Sequence, residues 1–213
     1  MTDDQVERFF ATLSAANPHP VTELEFSSVF ELLAAVLLSA QATDVGVNKA
    51  TRRLFAAAGT PQRMLALGVE GLEPYIRTIG LYRTKARNLI ATCQLLIERH
   101  GGEVPRSLEA LQSLPGVGRK TANVVLNVAF GEDTFAVDTH VFRVANRTGL
   151  APGRTPLEVE TGLQRRVPQP YRSHAHHWLI LHGRYVCLAR RPLCERCSVA
   201  ASCDHASAAA VPN

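Results

Sequence analysis

Leu114-Pro115-Gly116-Val117-Gly118-Arg119-Lys120-Thr121-Ala122 decides how this chain is read. Apolar residues recur at three- and four-residue spacing on both sides of it, so the Pro-Gly-x-Gly run is a tight hairpin between two helices. Its glycines permit positive φ and the close approach of another backbone. The N–H groups that open the second helix have no partner within it and suit an anion, a phosphodiester above all. The same spacing also occurs in turns that bind nothing, so the charge of the surrounding chain has to be weighed.

That charge is uneven. The 213 residues carry a formal +4. Residues 134–213 hold ten arginines against five acids, whereas residues 1–133 hold thirteen basic and fourteen acidic residues. A basic C-terminal part favours a nucleic-acid partner. Arginine outnumbers lysine twenty to three, which singles out Lys49, Lys85 and Lys120.

Outward from the hairpin, the helical period persists almost everywhere and no convincing strand alternation occurs. The spacing predicts an all-α protein with helices over 28–39, 44–57, 60–68, 70–78, 82–99, 108–113, 119–130, 139–147, 156–166 and 172–185. Ser28-Val29-Phe30-Glu31 is a capping box, and Thr60-Pro61 joins a cap to a first-turn proline. The irregular stretch 131–137 coincides with the charge shift and marks the crossing between two helical lobes. One lobe is expected over 23–133; the other takes 134–213, with 1–22 assigned to it although that segment could join either. The tail from residue 205 is expected to fray. The longest apolar run, 29–40, is too short to span a bilayer and the acidic start is unlike a signal peptide, so the expected location is cytoplasmic, with no membrane partner.

Five cysteines remain. Cys187, Cys194, Cys197 and Cys203 crowd into the last part of the chain, with Cys93 apart. In a reducing compartment such a cluster is a metal site rather than a disulfide set. Structural zinc usually arrives as two C-x2-C pairs and only one is present, so four thiolates on an iron-sulfur cluster fit better, with zinc still open. Cys93 reads as a small buried hydrophobe.

Lys120 occupies the first turn of the helix after the hairpin, an unfavourable place for a cation, with Arg119 beside it. A lysine able to shed its proton can act as a nucleophile, as arginine cannot; a phosphate-binding lysine is the plainer alternative. Asp138, in Ala136-Val137-Asp138-Thr139-His140, is an N-cap. The helix carries the chain roughly 18 Å from Lys120, and an extended return of about eight residues covers up to roughly 26 Å. Asp138 can therefore come back beside Lys120, and a cap can also be a catalytic carboxylate.

Taken in order, the hairpin with Lys120, then Val137-Asp138-Thr139-His140, then the four cysteines resemble endonuclease III, the family of helix-hairpin-helix DNA glycosylases with an iron-sulfur cluster. Leu38-Ser39-Ala40-Gln41-Ala42-Thr43-Asp44, Ile79-Gly80-Leu81-Tyr82 and the stretch 176–184 look like the family as well. Val29 departs from it, standing where a proline is common.

The resemblance implies two lobes with a DNA-binding cleft between them. It also implies a [4Fe-4S] cluster on Cys187, Cys194, Cys197 and Cys203, and a bifunctional glycosylase and AP lyase. The substrate it implies is duplex DNA with an oxidised pyrimidine or an abasic site, the base leaving the stack to be reached. Lys120 and Asp138 would be catalytic. Gln41 and Leu81 would enter the gap left by the flipped nucleotide, Gly116, Gly118 and Arg119 would meet phosphate, and Arg190 and Arg191 would form a basic loop beside the cluster. His140 joins the DNA-contacting set as a polar-network residue, not a metal ligand, and Trp178 is expected in the core. A monomer suffices for one lesion, and in a bacterium the enzyme would be nucleoid-associated. The rivals are a monofunctional adenine glycosylase of the same superfamily, whose pattern lacks the lysine, and a non-catalytic DNA-binding module in which Asp138 is only a cap.

Overall fold

The computed structural model describes residues 1–209. Eleven helices and three short 3-10 turns make up its regular structure, and no strand occurs among the described residues. The all-α expectation holds. No helix is long and apolar enough to cross a membrane. The chain divides into two compact units, Thr22–Gly131 and Met1–Val21 with Glu132–Asn213.

The Thr22–Gly131 unit is built around α2 (Val29–Ser39), which is buried from Phe30 to Leu38. A helix apolar on all sides must sit at the centre of its unit. It packs against α3 (Asp44–Ala58), α5 (Tyr82–His100) and α7 (Arg119–Phe130), and each leucine it buries contributes roughly 1.5–3 kcal/mol. Its start at Val29 needs no proline: Ser28 Oγ accepts the Glu31 N–H at 3.1 Å. The return bond of the capping box lands one residue early, the Glu31 carboxylate accepting from Ser27 N at 2.6 Å. Next, α4 (Pro61–Ile76) opens on a Thr60 cap and is broken at Gly68, φ +65°, where the sequence separates two helices. Between α5 and α7 lies the one-turn helix α6 (Leu108–Gln112). Cys93, on α5, is fully buried, and burial pushes its thiol up to about 12, which suits a packing role.

The other unit contains a helix beyond those the spacing predicts. α1 (Asp3–Ala16) is opened by a capping box between Thr2 and Gln5 and buries Val6, Phe9, Phe10 and Leu13. Both signals were present in the sequence as a T-x-x-Q box and an i, i+3, i+4, i+7 stripe. These side chains share a core with α8 (Thr139–Thr148), α9 (Pro156–Arg166) and α10 (Arg172–Tyr185). Trp178 is core, as expected, 3% exposed, with Nε1 donating to the Asn17 carbonyl at 2.8 Å. At Gly183 α10 crosses α8 so closely that a Cβ would come within 2.9 Å of His140 Cβ. Asp204–Ala209 forms a short helix, α11, where fraying was expected, and its Asp204 pairs with the Met1 ammonium at 2.8 Å. The rest of that tail lies outside the described residues.

Candidate nucleic-acid interface and cysteine pocket

In the Thr22–Gly131 unit the hairpin is pinned by its own apolar residues. Leu114 and Val117 are buried, and Val117 N donates to the Leu114 carbonyl at 3.1 Å. Thr92 Oγ1, from α5, donates to the Pro115 carbonyl at 3.0 Å. The two glycines then serve different needs. Gly116 has φ +78°, and a Cβ there would lie 2.7 Å from Asn88 Nδ2, so the turn itself demands glycine. Gly118, with φ −83°, has nothing within 4 Å of a built Cβ. It is the N-cap of α7 and supplies no side-chain cap. The turn thus presents open space above the first N–H groups of a twelve-residue helix. Arg119 and Lys120 are exposed on that first turn.

The same unit holds Gln41 and Leu81, and the structure adds something the sequence does not carry. Both sit in the left-handed region, and no other described non-glycine residue has a positive φ. Leu81 is 62% exposed, so it is not the core leucine that its type would suggest. Gln41 is exposed as well.

In the other unit, Asp138 caps α8: its Oδ1 accepts from both His140 N and Val141 N, each at 2.8 Å. Both bonds fall on one carboxylate oxygen, so the cap leaves the second oxygen to other work. Helix α8 also secures the cysteine segment. Arg143 donates to the carbonyls of Cys187 at 3.0 Å and Gly183 at 2.6 Å, and its Nη2 lies 3.3 Å from His140 Nδ1. One turn on, Arg147 donates to the carbonyls of Leu188 at 2.7 Å and Ala189 at 2.9 Å and reaches Cys187 Sγ at 3.5 Å. In the sequence these two arginines stand out only as charge. Their i, i+4 spacing on a capped helix was the available signal, but it does not say which carbonyls they reach.

Cys187, Cys194, Cys197 and Cys203 line one pocket, together with Arg147, His182 and Val199. Burial pushes the Cys197 thiol up, and crowding by Cys203, Cys187 and Cys194 acts in the same direction against a backbone hydrogen bond. Among the described residues no three His, Cys, Asp or Glu side chains converge on a point that would hold a single ion. Arg190 and Arg191 are exposed on the segment between the first two cysteines.

A family model described as the HhH-GPD superfamily base excision DNA repair protein matches residues 34–169. Endonuclease III of Escherichia coli is 62% identical over 189 residues, covering 89% of this chain and 90% of that one. The chain belongs to the endonuclease III family. Endonuclease III of Haemophilus influenzae is 59% identical over 91% of this chain and 92% of its own. A solved structure of a trapped endonuclease III-DNA covalent intermediate superposes with a TM-score of 0.91 at 45% identity, covering 98% of this chain and 99% of that one.

Proposed function

We infer that this chain is a bifunctional DNA glycosylase and AP lyase of base excision repair. The observation that carries this reading is a lysine, Lys120, exposed on the first turn of a helix whose N-cap is an unobstructed glycine, in a chain so close to endonuclease III. Duplex DNA binds through the α7 N–H groups at Gly118 and Arg119, with Arg190 and Arg191 supplying further phosphate contacts. The substrate is an oxidised pyrimidine or an abasic site, and the protein acts as a cytoplasmic monomer, nucleoid-associated in a bacterial cell. Gln41 and Leu81 fill the space that the flipped nucleotide leaves.

Lys120 Nζ attacks the deoxyribose C1′, the base departs, and the amine and opened sugar form a Schiff base from which β-elimination breaks the strand 3′ to the lesion. Asp138 stabilises the positive charge that develops on the sugar and moves protons, using the oxygen that the cap leaves over. His140 belongs to the polar network that orients this helix start.

The four cysteines fit a [4Fe-4S] cluster, since all four line one pocket and would supply one thiolate to each iron. Cys187 and Cys194 would hold the Arg190–Arg191 segment through a bound cluster; the chemistry at C1′ is assigned to Lys120 and Asp138.

Borohydride trapping on a duplex with an oxidised pyrimidine tests the reading. Intact protein should give a covalent protein-DNA adduct, and Lys120→Gln should give none. Failure of the intact protein to form an adduct with any oxidised base or abasic site would leave the binding-module alternative standing. Base release from adenine mispairs without strand cleavage would favour the monofunctional rival.

A further inference from the structure

One side chain inside the cysteine pocket serves neither the DNA surface nor the ligand set. His182, on α10, is 6% exposed, and its Nε2 lies 3.7 Å from Cys197 Sγ. The ring is held edge-on to Phe9 with centroids 6.1 Å apart. Its own carbonyl accepts the N–H groups of Cys187 at 2.7 Å and Val186 at 3.0 Å. The backbone of His182 is thereby tied to the first cysteine and its side chain to the third. A thiolate sulfur can only accept, which selects the tautomer protonated on Nε2.

We propose that His182 tunes the reduction potential of the cluster by donating its Nε2–H to the Cys197 thiolate. The inference rests on the iron-sulfur reading above. One-electron reduction adds a negative charge shared by the sulfurs, and a donor aimed at one of them stabilises the reduced state more than the oxidised one. His182 is a positioning and tuning residue, not a catalytic one.

The test uses cluster-loaded protein with iron content and visible absorbance measured first, and reads the midpoint potential by protein-film voltammetry. His182→Phe keeps an aromatic ring and removes the donor, whereas His182→Gln keeps an N–H donor. The expected result is a shift to more negative potential in His182→Phe at full iron loading, with His182→Gln near the wild type. An unmoved potential in fully loaded His182→Phe would overturn the proposal.

Should that variant not load, pulsed EPR of the reduced wild-type cluster in protein carrying isotopically labelled histidine decides the matter. A histidine nitrogen coupling that survives His205→Asn, since His205 lines the same pocket, supports His182; no coupling, or one lost in His205→Asn, overturns it. A colourless wild type with stoichiometric zinc would remove the cofactor reading itself, a failure distinct from an unmoved potential.

Discussion

Gln41 and Leu81 hold the same left-handed backbone conformation, φ +55° and +59°, on two turns that meet: a Cβ built on Gly80 would lie 3.9 Å from the Gln41 carbonyl oxygen. This conformation costs an L-residue roughly 1–2 kcal/mol. The proposed insertion of both residues into the gap of a flipped nucleotide gives this strain, held by an exposed leucine and an exposed glutamine, a use outside the folded unit. Leu81→Gly and Gln41→Gly should therefore keep stability, or raise it by up to about 1 kcal/mol. Affinity for an abasic-site duplex should fall by about tenfold or more, a loss of roughly 1.4 kcal/mol. Thermal melts and fluorescence anisotropy check the two halves, and a variant that lost stability but kept affinity would refute the assignment.

The two hairpin glycines should separate folding from binding. Gly116→Ala puts a Cβ against Asn88 at positive φ and should destabilise by roughly 1–2 kcal/mol. Gly118→Ala meets nothing in the protein and should change the unfolding midpoint little, yet weaken DNA binding because its methyl group intrudes where a phosphate would approach the α7 N–H groups. Equal loss of stability in both would contradict this division.

Asp138 has two assignable duties, and asparagine can perform one of them. Asparagine caps a helix as well as aspartate does, whereas alanine forfeits about 1 kcal/mol. Asp138→Asn should accordingly melt near the wild type and Asp138→Ala lower. Both should lose base release by about 100-fold or more in single-turnover assays. Wild-type turnover in Asp138→Asn would reduce the residue to a cap.

Lys85, on α5, is 5% exposed, and its Nζ is buried with no hydrogen-bond partner. Burial draws its ammonium below the usual lysine range. A folded-state value below the unfolded one means that the charge is a penalty at neutral pH, relieved as pH rises from the lowered folded-state value through the unfolded lysine range. Lys85→Met should raise stability by roughly 1 kcal/mol at pH 7, and the gain should vanish in alkaline buffer. Denaturant titrations at the two pH values measure it.

His177 predicts the opposite flank of the pH profile. Its Nδ1 is buried and unpartnered, and burial, with the charge of His174, holds its imidazole down to about 4. The unfolded chain binds this proton first, so stability should decline as pH falls from about 6.5 toward 4. His177→Gln should flatten the slope between about pH 6.5 and 5, before carboxylates titrate. An unchanged slope would place the proton uptake elsewhere.

The helices at Arg119–Phe130, Pro156–Arg166 and Arg172–Tyr185 have the limits their sequence predicts, because caps, first-turn prolines and apolar period act within a few residues of chain. The candidate site was legible for a related reason. A hairpin, a lysine one turn in and an N-capping aspartate are local patterns, and four clustered cysteines stand out against any background. α1 is written in the same short-range terms, in the Thr2–Gln5 capping box and the stripe of Val6, Phe9, Phe10 and Leu13.

The amino-acid sequence by itself determined an all-helical chain with its hairpin, its candidate lysine and aspartate, and its cysteine set, because each is written in short-range spacing. Only the tertiary structure decided that Gln41 and Leu81 are strained, that Lys85 has no partner, that Arg143 and Arg147 seize the carbonyls beside Cys187, and that His182 reaches Cys197. Those facts depend on which surfaces meet once distant segments pack. Burial and hydrogen-bond geometry set at long range leave no periodic trace in the residues that share them.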